Sequence, residues 1–179
     1  FVAMQSVPRF ESQLSMSAFV RASAQTSRVI ASITDDAGIA EYAILFVSAT
    51  GNLVWQLRGS SSGVTAIADS GTQLSGKWQH IAGVTNGVSD HRIYVDGILK
   101  SVDTTSLPDM PTSNTMRIGA WKRNGASETL FFNGSIAEVS VLSAAVAPKH
   151  IAIRALRPGI AYELTPRRRS RVSVLASLR

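Results

Sequence analysis

The sequence predicts an all-β domain, an antiparallel jelly-roll sandwich of two sheets followed by one short C-terminal helix and an extended basic tail. Three observations predict it. Short runs rich in Val, Ile, Phe, Tyr and Trp recur about every ten residues, the spacing of a sandwich or barrel. Clusters of Gly, Asn, Asp and Ser separate them, and helical periodicity is confined to one segment near the end. Of the 179 residues 45% are hydrophobic and 17% charged, enough apolar material for one sizeable core.

The runs, in order, are Leu14 to Ala22, Arg28 to Ile33, Tyr42 to Val47, Asn52 to Arg58, Val64 to Asp69, Trp78 to Thr85, His91 to Val95, Ile98 to Asp103, Thr115 to Trp121 and Ser135 to Leu142. Asn86-Gly87, Asp96-Gly97, Asn124-Gly125 and Asn133-Gly134 supply positive-φ positions for tight connections. The clearest is Asp96-Gly97, which predicts a hairpin between the runs on either side. Ala49 to Asn52 predicts another. After Leu142 the pattern changes, and Pro148 opens an Ala-rich segment with Ile151, Ile153 and Leu156, read as a helix. Residues 1–156 are therefore expected to form the sandwich, and 157–179 a C-terminal arm.

Charge is unevenly placed. Residues 1–153 balance 11 basic against 11 acidic residues, and the net +6 arises in the last 26, which hold 7 Arg against Glu163 alone. A neutral body is not a nucleic-acid surface, so nucleic acid is not an expected partner. The chain has no cysteine, which removes disulfides, zinc fingers and thiol nucleophiles. No run of about 18 apolar residues is present, so a soluble chain without a membrane span is expected. The sequence opens at Phe1 without methionine, and the first ten residues lack the basic start and apolar stretch of a signal peptide. A processed chain and a piece of a longer one both stay open.

Gly76-Lys77-Trp78-Gln79-His80-Ile81-Ala82, Arg92-Ile93-Tyr94-Val95-Asp96-Gly97, Met116-Arg117-Ile118-Gly119 and Phe132-Asn133-Gly134-Ser135-Ile136-Ala137-Glu138-Val139 together resemble the laminin-G-like branch of the concanavalin A-like lectin/glucanase fold. The resemblance spans 76–156 closely and the first half loosely. It departs at Ala137, where the family usually carries Asp, and at the start, where only Phe1 to Phe10 is available for an opening strand.

Read for their own chemistry, these residues look structural. Trp78 and Trp55 are assigned to the inter-sheet core, and His80, on the face of Trp78, to a semi-buried histidine with its polar atoms satisfied. Glucanases of this fold use two carboxylates about 5 Å apart, hence acidic residues on one face of a strand. Glu138, flanked by Ile136 and Ser140, has no such mate, and Asp103 and Glu41 stand alone. Gly59 to Gly63 spells the GxSxG pattern but sits between strands, whereas a nucleophile elbow needs a helix after it. No enzyme activity is expected.

For binding, Trp121 with Lys122, Arg123 and Asn124 places an aromatic face beside polar groups, the combination a sugar ring needs; the alternative is a Trp packed over the sheet rim. No cofactor is expected beyond calcium, for which Asp35-Asp36 is the candidate start of a rim site; a solvated turn is the plainer reading. Tyr162, Leu164, Arg167, Arg168, Arg169 and Arg171 form the candidate partner-binding arm. Arg157 to Tyr162 and Pro166 to Arg169 also resemble the closing segments of laminin-G-like proteins of tailed bacteriophages. That likeness implies a virion protein, a capsid decoration or a tail or fibre component. Its arm would dock on a coat protein or a second copy of the chain, its sandwich facing a host-surface glycan. The alternative expectation is a carbohydrate-binding or adhesion module of a secreted, extracellular bacterial protein.

Overall fold

A computed structural model describes residues 1–5, 10, 12–34, 41–59, 63–109, 115–122 and 127–158. Among these it contains β1 (Val2–Gln5), β2 (Gln13–Arg21), β3 (Arg28–Thr34), β4 (Tyr42–Val47), β5 (Asn52–Arg58), β6 (Thr65–Gln73), β7 (Gln79–Asn86), β8 (His91–Val95), β9 (Ile98–Asp103), β10 (Thr115–Ile118), β11 (Ser135–Leu142) and α1 (Pro148–Leu156). The strands pair antiparallel in a six-stranded sheet, ordered β1-β10-β3-β4-β5-β6, and a five-stranded sheet, ordered β11-β2-β7-β8-β9. The two-sheet sandwich expected from the sequence is what forms. The opening strand is present as β1, paired with β10 from Val2↔Ile118 to Gln5↔Thr115.

Alternation sorts the side chains. Leu14, Met16, Ala18 and Val20 of β2 and Ile81 of β7 face Ile33, Leu45, Trp55 and Leu57 of the opposite sheet across one buried core. At its centre Trp55 is fully buried, and its ring lies directly on Gly83, where a Cβ would overlap the indole. The indole N–H donates to Thr85 Oγ1 at 3.1 Å. That hydroxyl lies 3.1 Å from His91 Nδ1, and His91 Nε2 faces the carbonyls of Val88 and Thr105 at 3.2 and 3.1 Å. Carbonyls only accept, so the proton sits on Nε2 and Nδ1 accepts from Thr85. Every polar atom of this buried chain is thereby satisfied.

The Asp96-Gly97 hairpin has both central residues at positive φ, 51° and 80°, as a two-residue type I′ turn demands. Asp96 Oδ1 accepts the His80 N–H at 2.8 Å, and the Asp96 N–H returns to the His80 carbonyl at 2.7 Å. The turn is thus pinned to β7. Helix α1 starts at Pro148 and lies on the outer face of the five-stranded sheet, with Ile151 buried among Ala82, Val84 and Tyr94. Gly97 touches it so closely that a Cβ would come 2.9 Å from Ala152 Cα. Because the helix roofs that face, β7 is buried on both sides from Gln79 to Thr85.

Three expectations need correction. Trp78 is 46% exposed and precedes β7, which starts at Gln79, instead of anchoring the core; Trp55 and Gly83 already fill that place. His80 is 1% exposed, and neither ring nitrogen has a hydrogen-bond partner. It lies under α1, its ring 4.8 Å from that of Phe19, beside a cavity of about 30 Å³ lined also by Ser15, Ser17, Ser140, His150 and Arg154. Glu138 does not follow the face of Ile136, because a bulge between Ala137 and Ser140 puts it at φ 50° and turns Val139 into the core.

Burial, with the positive charge of Arg154 adding to it, lowers the His80 pKa to about 4. Above pH 6.5 the ring is neutral whether folded or unfolded. As pH falls, the unfolded chain takes the proton first, so stability drops between 6.5 and about 4 and levels off below. Urea unfolding across that window should show a loss of about 3 kcal/mol that His80→Leu removes; an unchanged slope in the variant would place the titrating group elsewhere. Gly83→Ala should cost about 1 to 3 kcal/mol in the same assay by forcing Trp55 off its seat, and a neutral effect would contradict the packing described.

Candidate functional site

The outer face of the six-stranded sheet carries polar residues where its inner face carries the core. Register sets them in rows. Thr115, Thr34, Tyr42 and Arg58 lie side by side across β10, β3, β4 and β5, and Arg117, Ser32, Ile44 and Gln56 form the next row. Within this grid the Gln56 side-chain amide donates to the Tyr42 hydroxyl at 2.6 Å. Arg117, 2% exposed, donates from Nη1 to Thr34 Oγ1 at 2.9 Å, and its Nε lies 3.6 Å from a Glu128 carboxylate oxygen. A buried guanidinium needs such a partner.

Past the end of β10 the chain continues through Gly119, at φ 75°, to Trp121. The Trp121 N–H donates to the Thr129 carbonyl at 2.9 Å, and the Thr129 N–H returns to the Trp121 carbonyl at 2.7 Å. Ser32 Oγ donates to the Ala120 carbonyl at 3.0 Å. These bonds hold Trp121 over the corner of the sheet, its ring 5.0 Å from that of Tyr42 and tilted by 57°. Trp121 stays partly exposed, while Tyr42 is 4% exposed. The result is a preset aromatic pair, one ring backed by a hydrogen-bonded amide, with Lys122 next to the other. It can stack on an apolar ring face and bond to hydroxyls around it.

Of the residues expected from the sequence, Trp121 and Lys122 are placed at this corner. Strand β10 ends at Ile118, so Trp121 is held by its bridge to Thr129 instead of by the strand. Arg123 and Asn124, the Asp35-Asp36 pair, and the arm residues Tyr162, Leu164, Arg167, Arg168, Arg169 and Arg171 lie outside the described residues. Tyr42, Gln56 and Arg117 were missed as site residues. Their signal was present, since a polar residue between two core residues, such as Arg117 between Met116 and Ile118, marks the outer face of its strand.

Two carboxylates of the sandwich, Asp103 and Glu128, are engaged by neighbouring groups. Burial pushes Asp103 up, but hydrogen bonds from Thr105 and from the Ile67 N–H together outweigh it and hold its pKa below the usual value. Glu128 faces Arg117. Among the described residues no group of three or more His, Asp or Glu could hold a metal, and no helix is long and apolar enough to cross a membrane.

Comparison with solved structures finds the same fold in proteins of low identity. An SAP-like pentraxin from Limulus polyphemus, crystallised as a native heptamer, superposes with TM-score 0.65 at 18% identity, covering 85% of this chain and 73% of that one. The CBM40 of a Ruminococcus gnavus IT-sialidase, bound to alpha2,3 sialyllactose, gives 0.66 at 13%, covering 82% and 84%. Domain 4 of the extracellular arabinanase AbnA from Geobacillus stearothermophilus, in complex with arabinotriose, gives 0.61 at 20%, covering 82% and 68%. No curated protein matches the sequence significantly. The laminin-G model described as the concanavalin A-like lectin/glucanases superfamily matches residues 2–152. With most of its length in that match and both sheets arranged accordingly, the chain belongs to the concanavalin A-like lectin/glucanases superfamily.

Proposed function

We propose that this domain is a non-catalytic carbohydrate-binding or adhesion module that works outside the cell, with the Trp121–Tyr42 corner as its sugar seat. The observation that carries the reading is the fixed aromatic pair, 5.0 Å between centroids, at the end of a sheet face that also presents Gln56, with the partly exposed Lys122 next in the chain. A sugar ring offers one apolar face and an equatorial fringe of hydroxyls. An indole already oriented by backbone hydrogen bonds stacks on that face with little entropy left to lose.

Two similar modules carry sialyllactose and arabinotriose in their crystals, which supports a glycan ligand for the fold in general. Asp103, bonded to backbone amides, and Glu128, facing a guanidinium, are not arranged as a general acid with a nucleophile or base, and this supports a binding role over hydrolysis. The virion role implied by the arm draws no support from these comparisons, and the secreted module is preferred.

On a glycan array the wild-type domain should retain a defined set of saccharides without releasing reducing ends. Trp121→Ala should weaken the best of them tenfold or more, about 1.4 kcal/mol, and Trp121→Phe should keep part of the affinity because a ring remains over Tyr42. Full binding by the alanine variant would exclude this corner as the seat. Stoichiometric recovery of the protein with phage particles would restore the virion reading.

A further inference from the structure

The exposed Trp78 stands on the other sheet, and its surroundings are built, not incidental. Arg21, the last residue of β2, places its guanidinium carbon 5.2 Å from the centre of the Trp78 ring. The two residues sit one step beyond the paired Val20 and Gln79, on the face that holds Phe19 and His80, and next to Ser135, which pairs with Arg21 from β11. The chain leading into Trp78 is clamped. Gln79 Oε1 accepts from the Ser75 N–H at 2.9 Å and from the Ser75 hydroxyl at 3.1 Å, and the Gly76 N–H donates to the Ala22 carbonyl at 2.9 Å. Gly76 takes φ 79° to make that turn. From it Lys77 also projects into solvent.

Neither Arg21 nor Lys77 forms an ion pair among the described residues. Two cations and a Trp that is nearly half exposed therefore share one end of the five-stranded sheet, beyond the part that the helix covers. A guanidinium resting on an indole keeps its in-plane N–H donors free and oriented, and those donors match the paired oxygens of a carboxylate or sulfate. The ring beside it suits the apolar face of a sugar.

We infer that Trp78, Arg21 and Lys77 form a second binding site, separate from the Trp121 corner and on the opposite sheet, that takes an acidic sugar residue bearing a carboxylate or a sulfate. One ring and two cations seat one such residue. The neutral charge balance of residues 1–153 argues against a phosphate polymer, which needs a continuous basic track. The site does not depend on the Trp121 reading, and either can fail alone.

The chain has three Trp, so an indole 15N–1H spectrum contains three side-chain signals, assignable by single Trp→Phe variants. Tetragalacturonic acid, a heparin-derived tetrasaccharide, neutral cellotetraose and sodium sulfate are titrated separately. At least one acidic tetrasaccharide should move the Trp78 signal, and cellotetraose and sulfate alone should not; the responding probe separates a carboxylate site from a sulfate site. Trp78→Ala and Arg21→Gln should each weaken that binding tenfold or more, Lys77→Ala several-fold, and Trp121→Ala should leave it unchanged. Raising salt should weaken it further. Circular dichroism and urea midpoints close to wild type would show that these exposed positions leave the fold intact. A Trp78 signal that stays still with both acidic probes overturns the assignment. So does an equal response to cellotetraose or to sulfate alone, or full affinity in Trp78→Ala.

Discussion

The contact between Trp55 and Gly83 is the constraint around which the sandwich is built. The Trp55 indole takes the space that a side chain at position 83 would need, and Gly83 leaves it free by having none. Burying an indole also buries its N–H. The hydrogen bond to Thr85, continued through His91 to the carbonyls of Val88 and Thr105, meets that cost and ties β5 of one sheet to β7, β8 and the segment after β9 of the other. One aromatic thus links the two sheets and, through Thr85, fixes a histidine tautomer.

With the interior closed in this way, the two outer faces are finished differently. Helix α1 covers the middle of the five-stranded sheet, over Ala82, Val84 and Tyr94, and leaves open the edge strand β9 and the end with Trp78 and Arg21. The six-stranded sheet carries Tyr42, Gln56 and Arg117, joined by hydrogen bonds to strands on either side. Both faces owe their chemistry to alternation along strands whose other side is committed to the core.

Much of this was legible in the residues. Five strands, Tyr42–Val47, Asn52–Arg58, His91–Val95, Ile98–Asp103 and Ser135–Leu142, begin and end where alternation and turn residues put them, the first four because tight hairpins leave little freedom in register. What was not legible depends on the third dimension. Trp78 and Trp55 look alike in sequence, and only the gap over Gly83 decides which enters the core. His80 reads as a satisfied residue until the helix that covers it is known. Glu138 reads as part of a regular strand because a bulge has no strong local signature when its positive-φ residue is not glycine. At the Trp121 corner the ring itself was readable, but its partner Tyr42 lies 79 positions earlier in the chain and is brought there through β3, the strand between β10 and β4.

The roof formed by α1 has a further consequence. Ile151 is the one helix residue that is buried, no side chain caps the helix N-terminus, and on the β11 side Arg154 holds the Glu138 carbonyl at 2.9 Å. Beneath the helix lie a small void and a histidine with two idle nitrogens. Lifting this element frees Ile151 from Ala82, Val84 and Tyr94 and lets water reach His80, whereas parting the sheets means extracting Trp55. An opening confined to the helix would therefore leave the sandwich whole and bare Ala82, Val84 and Tyr94 to water.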